Sequence, residues 1–164
     1  MRLYIAGPLF SPYHRAFHAE NVRRLREAGH DCFVPQEQEH NARQSKSIPE
    51  RVFQVDLAGV RWANALVALL DDPDVSSGTS CEMGIFYELA LHDPTKKGIL
   101  GILTDDRPRK RQASEVGESI NFFTQGCVDK VGRIYQSIDG VIEHLAKWQH
   151  ELEEAGLLEQ DAKS

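Results

Sequence analysis

The chain has 164 residues, of which 41% are hydrophobic and 27% charged, enough for one domain with a full core and the balance of an ordinary globule. A net charge of −6 disfavours a binder of nucleic-acid backbones, which needs a basic face, and the single basic cluster, Arg107-Pro108-Arg109-Lys110-Arg111, reads as a solvated loop. No apolar run approaches the ~20 residues that span a bilayer, no signal-peptide pattern opens the chain, and Cys32, Cys81 and Cys127, odd in number and without metal-type spacing, fit a reduced, cytoplasmic setting.

Arg2 to Ala6 has a strand pattern, broken by Gly7-Pro8-Leu9-Phe10. Ser11 is a good N-cap and Pro12 suits the first helical position. The helix they open runs to about Ala28, with Gly29 as its stop and an irregular apolar stripe of Phe17, Val22, Leu25 and Ala28. Asp31 to Val34 is a second strand. Gln36 to Ser47 is polar and loop-like, and Ser47 is placed to cap a helix with Val52, Phe53, Leu57 and Val60 on one face. The apolar run Ala65 to Leu70 is a third, buried strand. The acidic, small-residue segment Asp71 to Gly78 leads into a helix ending near His92. Gly98 to Thr104 is a fourth strand and Asp105 to Glu118 a long charged loop. After a short segment opened by Asn121-Phe122-Phe123 comes a weaker fifth strand, Val131 to Tyr135. A terminal helix from Ile138 to about Leu157 follows, with a frayed end.

Strands alternating with helices predict a doubly wound, flavodoxin-like α/β fold: a five-stranded parallel sheet with helices on both faces. No repeat or domain boundary interrupts residues 1 to 164, which read as one domain with a C-terminal helix from about 138.

Three features gather at the C-terminal edge of such a sheet, where open α/β folds bind ligands. They are Tyr4 with the turn after strand one, Pro35-Gln36 after strand two, and the acidic loop with Glu82 after strand three. A phenol, an apolar ring, an amide and several carboxylates suit a polar, ring-bearing small molecule. Glu82 has two readings that are compatible. Thr79-Ser80-Cys81-Glu82 matches a capping box with Glu82 bonding back to the cap, and a helix N-terminus also favours an ionised carboxylate, the form a nucleophile at an anomeric carbon must take. Asp56 falls on or beside the apolar stripe of its helix. It is either a boundary residue facing water or a carboxyl aimed into the cleft with a raised pKa. Phe10 is a core or lid residue, or else a ring that stacks on a base. Cys81 has no local His to activate it and reads as a small packed residue. His14 and His18 are i,i+4 on what reads as a polar helix face, without a third metal ligand. The first turn lacks the spacing of a dinucleotide fingerprint and the Lys of a Walker motif, which argues against NAD and ATP.

The segments Tyr4 to Phe10, Val34-Pro35-Gln36, Asp56-Leu57, Asp74 to Gly84 and Ile120-Asn121 together resemble the nucleoside 2-deoxyribosyltransferase family, in the same order over about residues 1 to 140. The resemblance implies that Glu82 attacks the anomeric carbon to form a covalent 2-deoxyribosyl-enzyme, which an incoming base displaces. It implies that Tyr4 orients the nucleophile and that Asp56 meets the base and helps protonate it as it leaves. Gln36 would contact the base and Phe10 pack on it. Gly7, Asp74, Ser76 and Gly78, in the first and fourth motifs, would help bind substrate. Asn121 would bind the sugar hydroxyl in a neighbouring subunit's site, so the enzyme would be a homo-oligomer. Nucleosides and free nucleobases are the implied partners, and no metal or organic cofactor is called for.

One position departs from the family pattern. Transferases usually carry Asp six residues before the nucleophile, to grip a sugar hydroxyl, and here that position is Ser76. A Ser there resembles related 2-deoxynucleoside 5-monophosphate N-glycosidases, whose loop after strand one usually holds Ser and Arg. This chain has Gly-Pro-Leu-Phe at that loop and retains Asn121, which favours the transferase. The long terminal helix also differs from short-tailed members whose terminal carboxylate reaches the site. The expected activity is therefore base exchange on 2-deoxyribonucleosides. Hydrolysis of nucleoside or nucleotide N-glycosidic bonds is the first alternative and a non-catalytic nucleoside or nucleotide sensor the second.

Overall fold

Short apolar runs set the frame. Strands β1 (Arg2–Ala6), β2 (Asp31–Phe33), β3 (Ala65–Leu69), β4 (Gly98–Ile102) and β5 (Arg133–Tyr135) form one sheet in the order β2-β1-β3-β4-β5, and every pairing is parallel. Helices α1 (Pro12–Glu27), α2 (Ile48–Trp62), α3 (Ser77–His92), α4 (Phe122–Val131) and α5 (Ile138–Glu154) connect and cover the strands. The computed structural model describes residues 1–38, 48–71, 75–105 and 120–158. The Ser47 cap, Asp74, the basic run at 107–111, most of the 105–118 loop and the frayed end beyond 158 lie outside the described residues.

Strand alternation sorts the core into two layers. Leu3 and Ile5 of β1, Val67 and Leu69 of β3, and Leu100 of β4 pack with Val22 and Leu25 of α1 and Val141 and Leu145 of α5. Tyr4, Leu66, Ala68 and Ile99, one residue out of phase, face the other way and pack with Val60 of α2, Met83 and Phe86 of α3, and Val128 of α4. A sheet buried on both faces gives near-continuous apolar runs, and all five residues of β3 and of β4 are indeed buried. The strand order places a switch point between β1 and β3, and the crevice beyond their C-terminal ends is where such folds take ligands. Among the described residues no helix is long and apolar enough to cross a membrane.

The structure corrects the sequence expectations in four places. Residues Phe122–Val131 form a ten-residue helix capped by Asn121 where only an unassigned short segment was expected; Gly126, Thr124 and Val128 dilute helix propensity there. The α1 stripe runs through His18, Asn21, Val22 and Leu25, and Phe17 is largely outside it. The i, i+3, i+4, i+7 spacing was present, but two of its four members are polar. His18 is therefore a core residue, 1% exposed, and not part of a polar face; burial, then the neighbouring His14, pushes its pKa down to about 4. Phe53, expected on the buried face of α2, is 59% exposed. Finally, α3 begins at Ser77 with Ser76 at its N-cap, three residues ahead of the start a capping box at Thr79 requires.

Candidate active site

The site is built outward from Tyr4. Alternation on β1 turns its side chain toward α2 and α3, where it is fully buried. Its ring stacks on Phe33 of β2 at a centroid distance of 5.4 Å and an interplanar angle of 13°. Phe33 is itself clamped by α2. A Cβ on Gly59 would lie 2.6 Å from the Phe33 ring, so only glycine lets the helix approach that closely. The phenol thus held donates a 2.7 Å hydrogen bond to Oε1 of Glu82. Burial, followed by the charge and hydrogen bond of Glu82 and the charge of Asp56, drives the Tyr4 pKa far up. Tyr4 is a permanent donor.

Because α3 starts at Ser77, Glu82 sits in the second turn of the helix and its side chain does not close a capping box. Ser76 makes no side-chain capping bond either. The expected box fails because the helix start moved, and the carboxylate is directed to Tyr4. Burial pushes the Glu82 pKa up to about 7; the Tyr4 hydrogen bond opposes that rise and the Asp56 charge adds to it. A carboxyl in this state is easily protonated yet bonded in a way that favours its charged form.

Changing Tyr4 to Phe removes the bond that favours the anion. The Glu82 midpoint is expected to move above about 7, read as the carboxyl 13C titration absent from a Glu82→Gln control. A midpoint that stays put or falls would remove Tyr4 as the group that steadies the charge.

In front of these two residues opens a cavity of about 680 Å³, within the range that takes small organic ligands. Gly7 and Phe10 line it from the loop after β1, Gln36 from the 3-10 turn after β2, and Asp56 from α2. Ser76, Gly78 and Glu82 line it from the start of α3. Seven residues singled out from sequence therefore share one wall system, and Tyr4 lies behind it. Asp56 faces the cleft; its charge acts on both Tyr4 and Glu82. Phe10 is 90% exposed, so it is a residue of the cavity mouth and not of the core. The Oε1 of Gln36 is buried and has no hydrogen-bond partner among the described residues, an acceptor left open beside the cavity.

Two expected site residues are not in this wall. Asp74 lies outside the described residues. Asn121 is exposed and its Oδ1 caps α4, accepting from Phe123 N at 2.9 Å and Thr124 N at 3.3 Å; it does not line the chain's own cavity. Asp71, from the same acidic loop, is engaged by backbone, accepting from the amides of Thr104 and Asp105 at 2.8 and 2.9 Å.

Leu9, Arg15, Pro35, Val52 and Thr79 complete the lining. The i,i+4 pairing of Val52 with Asp56 and the i,i+3 pairing of Thr79 with Glu82 were available signals. Nothing local marked Arg15. Cys81 is exposed and, like Cys32 and Cys127, a free thiol. Among the described residues no group of three or more His, Cys, Asp or Glu stands together to hold a metal ion.

A family model described as nucleoside 2-deoxyribosyltransferase matches residues 3–135. A crystal structure of a conserved protein from Enterococcus faecalis V583 is 25% identical, with a TM-score of 0.74 over 90% of this chain and 98% of that one. A 2-deoxyribosyltransferase from the psychrotolerant bacterium Bacillus psychrosaccharolyticus shares the fold at a TM-score of 0.65 and 23% identity, covering 87% of this chain and 90% of its own. No curated protein matches the chain.

Proposed function

The chain belongs to the nucleoside 2-deoxyribosyltransferase family, and from that premise we propose that it moves a 2-deoxyribosyl group between nucleobases through a covalent ester on Glu82. The observation that carries the reading is the 2.7 Å bond from the buried Tyr4 phenol to Glu82 Oε1 at the edge of a cavity that Asp56 also lines. Tyr4 fixes one carboxylate oxygen and leaves Oε2 for attack on C1′ of the sugar. As the Oε2–C1′ bond forms, the C1′–N bond breaks and its electron pair goes to the base. The Asp56 carboxyl supplies the proton that makes the base a better leaving group. A second base then attacks C1′, Glu82 leaves as carboxylate, and the proton returns to Asp56.

The pair of carboxyl groups suits this division of labour. Like charges oppose joint ionisation, and the Asp56 charge raises the Glu82 pKa, so the two carboxyls suit an acid and a nucleophile used together. Positive charge building on the sugar is stabilised by the ionised Glu82. Gly7, Phe10, Gln36, Ser76 and Gly78 would bind the base and sugar, with Asp74 nearby in sequence.

Asn121 would complete the site of a neighbouring copy in a cytoplasmic homo-oligomer, each chain forming one domain over 1–164. The neighbours of Asn121 support a contact there: Phe122 and Phe123 are 61% and 84% exposed, more apolar surface than an isolated helix end needs.

Ser76 in the cavity wall, where transferases usually carry Asp, favours one further reading: hydrolysis of nucleosides or nucleoside 5-monophosphates. Incubation of a deoxynucleoside with and without a second free base separates the two. A new nucleoside is expected, formed faster than free sugar. Release of base and sugar alone, unaffected by the second base, would replace transfer by hydrolysis.

A further inference from the structure

The loop that joins β1 to α1 supplies Gly7, Leu9 and Phe10 to the cavity, yet the Phe10 ring is almost bare. Its own packing cannot aim it. We propose that Arg15 and His18, three residues apart on α1, are positioning residues that hold this loop in the shape the substrate requires. The proposal rests on the transferase reading for its kinetic consequences and not for its structural ones.

Arg15 works from the outer side. Its Nη1 donates to the carbonyl of Leu9 at 3.0 Å and to that of Phe10 at 3.2 Å. These carbonyls lie ahead of the first helical turn, where no intrahelical donor reaches them. The placement is otherwise unfavourable. A cation near a helix N-terminus opposes the macrodipole, and α1 has no acidic residue in its first turn to offset it. One guanidinium nitrogen shared by two successive carbonyls explains why the charge sits there.

His18 works from below. Its Nε2 is buried without a hydrogen-bond partner among the described residues, which costs free energy that an apolar side chain of similar size would avoid. What the ring does meet is Gly7. A Cβ on Gly7 would stand 2.3 Å from Nε2, 2.6 Å from Cε1 and 2.9 Å from Leu69 Cβ. Gly7 also has φ of +152°, a backbone state that L side chains rarely adopt. The glycine backbone therefore lies directly on the imidazole, and the ring sets where the chain leaves β1. Helical spacing of three residues puts both braces on one side of α1, so a single rigid element fixes the loop at its entry and at its tip.

Arg15 is exposed, so its replacement leaves the core intact and carries the test. Hydrogen exchange and steady-state kinetics are measured on wild type, Arg15→Gln, Arg15→Lys and His18→Ala. In Arg15→Gln the amides of Gly7, Leu9 and Phe10 are expected to exchange about tenfold faster, and KM for the nucleoside to rise about tenfold with kcat within about threefold, the scale of losing one hydrogen bond from a charged donor. Arg15→Lys keeps a donor and is expected to recover part of both changes. His18→Ala is expected to raise KM similarly. The double change should raise it by less than the product of the two, because both act on one loop. Wild-type exchange and KM in Arg15→Gln would overturn the proposal. Faster exchange with an unchanged KM would also overturn it, since loop shape would then not matter to substrate. So would a raised KM with unchanged exchange, which would mean that Arg15 touches substrate itself. A wild type that turns over no deoxynucleoside refutes the functional reading instead, and the exchange data still decide whether the braces exist.

Discussion

Glu82→Gln is expected to abolish base exchange and, at the same time, to make the protein more stable above neutral pH. The loss of turnover should reach roughly 10⁴-fold or more, the scale seen when a covalent nucleophile is removed. No sugar adduct should be found by mass spectrometry on the variant, whereas wild type quenched with a deoxynucleoside should carry one on the peptide containing Glu82. Turnover near wild type would end the covalent mechanism. The stability effect follows from linkage. In the folded protein the Glu82 carboxyl titrates at about 7, against an ordinary value of 4.5, mainly because it is buried. The unfolded chain therefore releases its proton first as pH rises. The protein loses stability between about pH 4.5 and 7, and above that the full cost remains, on the order of 3 kcal/mol at most. Gln fills the same space, still accepts from Tyr4 and has no charge to bury. Urea unfolding at pH 8 should show Glu82→Gln as the more stable protein, and the advantage should shrink toward pH 4.5. Equal stability at both pH values would mean that the burial of Glu82 is not costly, and the functional reading would lose its electrostatic support. A site kept at the expense of stability is the usual signature of function.

Asp56→Asn carries the second large effect. An acid that protonates the departing base is worth about 10² to 10⁴ in rate, so turnover should fall by that order, and most for bases that are poor leaving groups. Asn also removes a negative charge that pushes the Glu82 pKa upward. The acid limb of the kcat/KM profile should then move to lower pH, opposite in sign to the shift expected of Tyr4→Phe. The two variants together test whether one electrostatic unit is at work. A profile that moves the same way in both, or a rate insensitive to leaving group in Asp56→Asn, would break the assignment of Asp56 as the acid.

Several links were legible because they depend on short-range pattern. The runs at β3 and β4 announced strands buried on both faces, and the alternation of strand and helix announced the parallel sheet. The motif segments pointed Gly7, Gln36, Asp56, Ser76 and Glu82 to one edge, where they line one cavity. The readings that failed were those where local and tertiary preferences compete. The Thr79 capping box is a good local pattern, but the helix starts three residues earlier, nearly one turn, and Glu82 meets a donor seventy-eight positions earlier in the chain. His18 looked like a surface residue because imidazole is polar, and only packing against Gly7 shows why it is inside.

Short-range pattern was enough for the sheet, its parallel sense and most of the chemical groups at its C-terminal edge, because apolar periodicity and turn residues act over a few positions. It also determined the family, since the motifs occur in order. The electrostatic state of the site depends on packing between elements. The rise of the Glu82 pKa to about 7 is a sum of burial, one hydrogen bond and one like charge, contributed by β1, α2 and α3, and no single segment contains it. The same holds for the Gly59–Phe33–Tyr4 stack and for the hold of Arg15 and His18 on the first loop. Each is a contact between elements that sequence places apart, and its geometry exists only once the sheet has closed the distance.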